Sequence, residues 1–421
     1  IMKRILILTF IISLLAAGCS KDLDLIPLDS ISDATFWKTA DDYKLAANDL
    51  YNSLSQHAYK NDIESDIAFN LGNEISNGTY VVTETDDKWT DPYIYIRRCN
   101  KIITTSADSE IANDQEVKRF VAEAKFFRAW NYWMLFRLYG GVPLIKEVLD
   151  LDSEELYNAR ASREETVDFI LQDLTEAVTD LPTRSSLSSS DIGRITKGAA
   201  NALKARVALF EGTWQKYHNG SDSKDYLGDA IEASNSVINS TQFSLYDGSA
   251  NESYRYLFIE EGDDSPENIL VDRHEVNIRD HDFPGEILGG NMLGTKKLAD
   301  IYLCTDGLPV SKSLLFEGYD TRISEFQNRD PRMTMTLLVP GSIVVWELFP
   351  VPIESWPFFP QRSGNTGYIT NKFRSENEFG NTTQQGRFGF DFHLIRYAEV
   401  LLIHAEAIFE KNGSISDADL N

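Results

Sequence analysis

Residues 114–143, DQEVKRFVAEAKFFRAWNYWMLFRLYGGVP, constrain this chain more than any other stretch. Apolar side chains occupy nearly every face of the helix that this spacing predicts, so it has no side to offer to water. It must sit at the centre of a larger packed body. Gly140-Gly141 and Pro143 end it. Lys125, Arg128 and Arg137 interrupt the apolar run, so a buried core helix fits and a membrane span does not.

Other segments carry helical periodicity with start signals. Residues 33–55 place Tyr43, Ala46, Ala47, Leu50 and Leu54 on one stripe. Residues 91–107 open with Asp91 as a cap and Pro92 at the first helical position. Residues 162–182 begin with a capping box, Ser162 with Glu165. Residues 195–214, 226–239 and 392–413 follow. Alanine recurs where neighbouring helices would meet, at 122, 124, 199, 202, 205, 208, 230, 405 and 407. Small residues allow close approach, as in stacked helix–turn–helix arrays of the tetratricopeptide type. No fixed period near 34 residues is found. The expected fold is mostly α: a tetratricopeptide-like helical array with a large irregular, loop-rich region at 243–390. Short β-like runs such as SIVVW (342–346) lie there. Ordered loops this long tend to carry function. The helix at 392–411 reads as half of a pair, and SISDADLN as the start of its mate, so the chain is expected to be C-terminally truncated.

At the other end, Lys3 and Arg4 precede an uncharged apolar run, Ile5 to Leu15. That is too short for the ~20 residues of a bilayer span but suits a signal-peptide core of about 7–15. Ala16-Ala17-Gly18 then leads into Cys19, which resembles the lipobox of bacterial lipoproteins, with Ala16 where leucine is commoner. Cleavage and acylation at Cys19 are expected. Four segments follow: a lipoprotein signal peptide at 1–18, a helical region at 19–242, the irregular region at 243–390, and the start of a C-terminal helical pair at 391–421. Removing Lys3 and Arg4 with the leader takes the formal charge from −25 to −27. Nucleic acid and anionic lipid surfaces need basic patches, so neither is an expected partner. Cys99 and Cys304 are too few for a disulfide framework and read as separately buried thiols, with one bridge between them as the alternative.

Several stretches together resemble the SusD/RagB family of outer-membrane nutrient-binding lipoproteins. They are CSKDLDLIPLDSISDATFWKTADD, RCNKII, AEAKFFRAWNYWMLFRLYGGVPLI, KGAANALKARVALFEGTW, YLCTDGLPV, NRDPRMTMTLL, GYITNKF and IRYAEVLLIHAEA. They keep the family's order from Cys19 to about Ala407. The resemblance implies a lipid-anchored (palmitate-bearing) protein on the outer-membrane surface of a Gram-negative bacterium. Its implied partner is a SusC-like TonB-dependent transporter, to which it delivers oligosaccharide. It implies binding and no catalysis. A peptide ligand is the alternative within the family, and a lipid-anchored glycoside hydrolase is the alternative outside it.

Catalytic motifs are missing: there is no HExxH, Walker loop, GxSxG or CxxC pair. The loop DRHEVNIRDHD (272–282) holds His274, Glu275, Asp280, His281 and Asp282, and reads as a hydrogen-bonded loop with transition-metal ligation as the alternative. EEGDDSPEN (260–268) reads as a solvated acidic loop; it lacks EF-hand spacing, and calcium binding through its oxygens is the alternative. A pyranose needs a ring to stack on and polar groups for its hydroxyls. Trp37, Trp130, Trp133 and Trp214 fall in helical or family-like segments and are read as packed. The resemblance implies ligand residues that vary with the ligand and share no motif, drawn from the loops after the first helix and from the later irregular region. From the first the candidates are Asp66, Asn70, Asn73, Tyr80 and Trp89; from the second, Trp346, Trp356 and Tyr368. Arg329 and Arg332 are expected to tie loops to helix ends.

Overall fold

The structure, a computed structural model, describes residues 36–56, 61–218, 224–248, 250–288, 290–321, 323–339, 366–375 and 387–420. Cys19, the signal segment, SIVVW, Trp346 and Trp356 lie outside the described residues.

Among the described residues seven long helices form the scaffold: α1 (Ala40–Leu50), α2 (Asp87–Ala107), α3 (Gln115–Tyr139), α4 (Arg163–Asp180), α5 (Lys197–Tyr217), α6 (Tyr226–Ile238) and α7 (Tyr397–Asn412). From α2 onward each packs on the next, while α1 lies on α3. Side-chain caps satisfy the first amide groups of α1 to α6. Thr39 with Asp42, and Ser162 with Glu165, form reciprocal capping boxes. Asp114 accepts from Glu116 and Val117, and Thr196 from Ala199. Helix α2 begins earlier than the Asp91-Pro92 signal suggests. Asp86 is its cap, accepting from the Lys88 amide, and Pro92 sits inside the helix, buried. One intrahelical bond is forfeited there, and burial of the ring offsets the loss.

Helix α3 is central as its composition requires. Phe126, Phe127, Trp130, Tyr132, Leu135 and Phe136 are fully buried. Ala199, Ala202, Ala205 and Ala208 of α5 and Ala230 of α6 are fully buried, and the two helices pack on each other. Ionic groups are also enclosed. Arg128 of α3 makes a bidentate pair with Asp173 of α4, both bonds 2.7 Å, and its guanidinium also donates to the Asn100 side chain. Glu123 takes Arg194 in the same manner and accepts the Tyr51 hydroxyl at 2.9 Å. Gly140 ends α3 with φ 68°. A Cβ on Gly141 would lie 2.1 Å from the Ala161 carbonyl oxygen, so only glycine permits this chain crossing.

Residues 392–396, read from the sequence as part of a helix, form a strand. β5 (Phe392–Arg396) pairs antiparallel with β2 (Asn268–Asp272), and α7 starts directly after it. The acidic stretch 260–268 is not a solvated loop. Glu267 is buried against Arg396, and Arg184 donates to the carbonyls of Ser265, Pro266 and Asn268. Trp130 and Trp133 are core, but Trp214 is 38% exposed in the last turn of α5, stacked on His218 and under Arg163. Cys99 and Cys304 are buried free thiols. Among the described residues no helix is long and apolar enough to cross a membrane.

Candidate functional site

Two loop regions far apart in sequence meet in a small three-stranded antiparallel sheet. Its strands are β1 (Ala68–Phe69), β3 (Leu293–Gly294) and β4 (Tyr368–Ile369), with β3 in the middle. Ala68 pairs with Gly294, and Gly294 with Tyr368, so those three residues form one row across the sheet. Two strand spacings separate the outer members, roughly 10 Å. The loop after α1 and the later irregular region therefore share a surface.

Side chains reinforce the junction. The Asn70 amide nitrogen donates to the Asn291 carbonyl at 2.7 Å, while its oxygen accepts the Gly72 amide. The Thr295 hydroxyl donates to the Asp66 carbonyl at 2.7 Å, and Thr370 to that of Met292 at 2.8 Å. The Asp66 carboxylate itself is exposed. Asn73 accepts the Ser76 amide and is half-buried. Tyr80 is 50% exposed on the loop leading to α2. Tyr368 is half-buried, and its hydroxyl donates to Glu325 at 2.8 Å. Burial first, and then Glu325, raise the Tyr368 pKa, so this phenol stays protonated.

Trp89 is not a loop residue but lies in the first turn of α2. A salt bridge from the adjacent Lys88 to Glu64, 2.9 Å, pins that turn to the segment before β1. The Trp89 ring packs edge-on against Tyr139 at 5.0 Å and tilted against Tyr93 at 5.5 Å. The exposed Arg160 guanidinium lies 5.4 Å from its centre. Tyr139 donates to Asp86 at 2.7 Å; burial, that bond and the nearby Tyr80 hydroxyl all raise its pKa. Tyr80 and Trp89 thus gather around Tyr139 at the end of α3, while Asp66, Asn70 and Tyr368 gather on the sheet.

The sequence reading passed over a third group beside the sheet. Lys296, following Thr295, donates to both oxygens of Asp300 at 2.8 Å, and its ammonium lies 3.9 Å from the centre of the Tyr319 ring. The Tyr319 hydroxyl donates to the same Asp300 at 2.8 Å. Lysine and aspartate four residues apart on a capped helix are a legible pair. Nothing in the sequence announces that Tyr319 joins them.

The histidine loop is held by hydrogen bonds. His274 bonds the Arg279 carbonyl at 3.0 Å and His281 that of Phe390 at 3.1 Å, and burial pushes His281 down to about 4. No group of three histidines, cysteines or carboxylates able to hold a metal occurs among the described residues. Arg329 ties its loop to a helix end, donating to the carbonyls of Ala299, Tyr302 and Glu325; Arg332 pairs with the capping Asp330.

Comparison with known proteins sets these features in a family. Residues 29–209 match a family described as "Starch-binding associating with outer membrane", and residues 277–419 match the SusD family. The chain belongs to the SusD/RagB family. A SusD-like protein from Formosa agariphila, P38, is 28% identical over 279 residues, 61% of this chain and 50% of that one. The chain thus spans about half the length of this curated SusD relative. A SusD-like protein from Bacteroides fragilis has the same fold, with a TM-score of 0.74 and 25% identity over 91% of this chain and 78% of that one. A laminarin-binding SusD-like protein superposes with a TM-score of 0.60 at 21% identity, covering 91% of this chain and 83% of that one. The SusD fold, helical with little sheet, agrees with the array expected from the sequence.

Proposed function

We propose that this protein is a cell-surface lipoprotein of the outer membrane, anchored through Cys19, that captures oligosaccharide and delivers it to a SusC-like TonB-dependent transporter. The observation that supports this most is the β1–β3–β4 junction. It joins two regions more than 200 residues apart into one surface bearing exposed carboxylate and phenol groups. Sugar hydroxyls donate well to carboxylates, and the apolar face of a pyranose suits an aromatic ring. Each such polar contact contributes only about 0.5–1.5 kcal/mol, which gives the weak capture that onward delivery requires. Family members described as binding starch or laminarin make glycans the first ligands to try.

Calorimetric titration of the chain against maltohexaose, laminarihexaose and a peptide panel tests the reading, with mass spectrometry of the recovered ligand. Saturable heat with a glycan and an unchanged glycan mass support it. Heat from peptides alone moves the protein to a peptide-binding role, and shortened glycans make it a glycoside hydrolase. Delivery is tested separately, by co-purification of the lipidated protein with a TonB-dependent barrel from outer membranes. A Cys19→Ala variant is expected to leave the membrane fraction.

A further inference from the structure

We infer that Tyr319 is a stacking ring for a neutral sugar unit on this surface, held in position by Lys296 and Asp300. The inference rests on the glycan reading above and names residues and a ligand class that the reading leaves open.

Tyr319 combines exposure with restraint. Half of its surface is in solvent, yet both the ring and its hydroxyl are held. Asp300 accepts the hydroxyl, the Lys296 ammonium covers the ring at 3.9 Å, and Phe316 meets it edge-on at 5.1 Å. An exposed tyrosine ordinarily keeps its rotamer freedom and loses it on binding. Here that freedom is already gone, so a ligand meets a preorganised platform.

The ring also lies on the candidate surface. Thr295, next to Lys296, bonds the Asp66 carbonyl, and both Asp300 and Tyr319 are near enough to the Tyr368 hydroxyl to perturb it. Charge then selects the ligand. Asp300 accepts the Tyr319 hydroxyl, Glu325 accepts that of Tyr368 beside it, and the Lys296 ammonium is spent on Asp300. None of these residues offers a free cation to a uronate or sulfate. Carboxylates accept from neutral hydroxyls and repel anionic sugars, in a chain whose net charge is −25.

The test titrates the full chain with neutral hexaoses of glucose, mannose and xylose, and with oligogalacturonate and a sulfated oligosaccharide. At least one neutral glycan is expected to bind, with both anionic probes at least about tenfold weaker at low salt and the gap narrowing as salt rises. Tyr319→Ala should weaken the neutral ligand about tenfold, while Tyr319→Phe, which keeps the ring, should lose less than about threefold. Asp300→Asn frees the Lys296 charge and should narrow the gap between neutral and anionic probes, a change that a purely structural residue would not produce. Unchanged binding by a folded Tyr319→Ala protein overturns the stacking role. Equal or tighter binding of the anionic probes overturns the charge selection. Silence from the wild type toward every glycan overturns the glycan reading itself, and this inference with it.

Discussion

Replacing Asp391 by asparagine should make the protein more stable relative to wild type at alkaline pH than at acid pH. The Asp391 side chain is fully buried beside β5; one oxygen accepts the His274 amide, and the other lies 3.4 Å from Arg273 without a hydrogen bond. Its backbone amide donates to Asp263. Burial pushes Asp391 up to about 6 from 3.8, and Asp263 up to about 7, the Asp391 charge adding to the latter. A group raised on folding holds a proton that the unfolded chain has released. Its stabilisation is therefore complete below the unfolded pKa and is lost as pH rises through the folded one. For Asp391 the difference of about 2 pKa units, at 1.36 kcal/mol each, disfavours the folded state by about 3 kcal/mol at pH 8 and by about 1 kcal/mol at pH 4.5. Asparagine keeps the acceptor for His274 and does not titrate. Its new buried N–H₂ group costs about 1–3 kcal/mol at either pH, so that term cancels in the comparison. Urea unfolding followed by tryptophan fluorescence at both values should show the variant gaining about 2 kcal/mol on wild type between pH 4.5 and pH 8. An equal difference at the two pH values, or a variant that loses ground at pH 8, refutes the argument.

Arg128→Met should destabilise the fold by about 3–5 kcal/mol at pH 7, because it leaves Asp173 buried and uncompensated; Arg128→Met with Asp173→Leu should recover most of it, as urea midpoints will show. Gly141→Ala, whose Cβ would meet the Ala161 carbonyl at 2.1 Å, should lower stability by about 2–3 kcal/mol in the same assay. Cys99 and Cys304 are buried, and burial raises the Cys99 pKa well above that of an ordinary thiol. Neither should react with a thiol reagent until denaturant is added, and labelling within minutes in buffer would contradict their placement.

The helical scaffold was legible because its signals are local. The capping box at Ser162, the apolar girth of α3 and the alanines of α5 each act within a few residues of chain. Where local signals competed, the boundary moved. Asp91-Pro92 looked like a start, yet Asp86 supplies the cap and carries Trp89 into the helix, against Tyr93 and Tyr139. FHLIR read as helical because it runs directly into α7, and pairing with β2 makes it a strand. Trp214 followed the helical pattern, but it lies in the last turn of its helix, under Arg163 and His218 instead of in the core.

By itself, then, the sequence determined a central buried helix and the run of helices around it, for which short-range periodicity and capping suffice. The ordered stretches that resemble SusD/RagB implied the family and the two loop regions proposed for the ligand surface. Only the tertiary structure decided that the two regions meet. Strands of two residues have no period to detect, and the Ala68–Gly294–Tyr368 row is closed by backbone bonds between distant segments. It also decided that Asn70 fastens this junction through Asn291, and that Tyr319 stands braced beside it. Those contacts belong to the packing of the whole chain, and no single stretch of it records them.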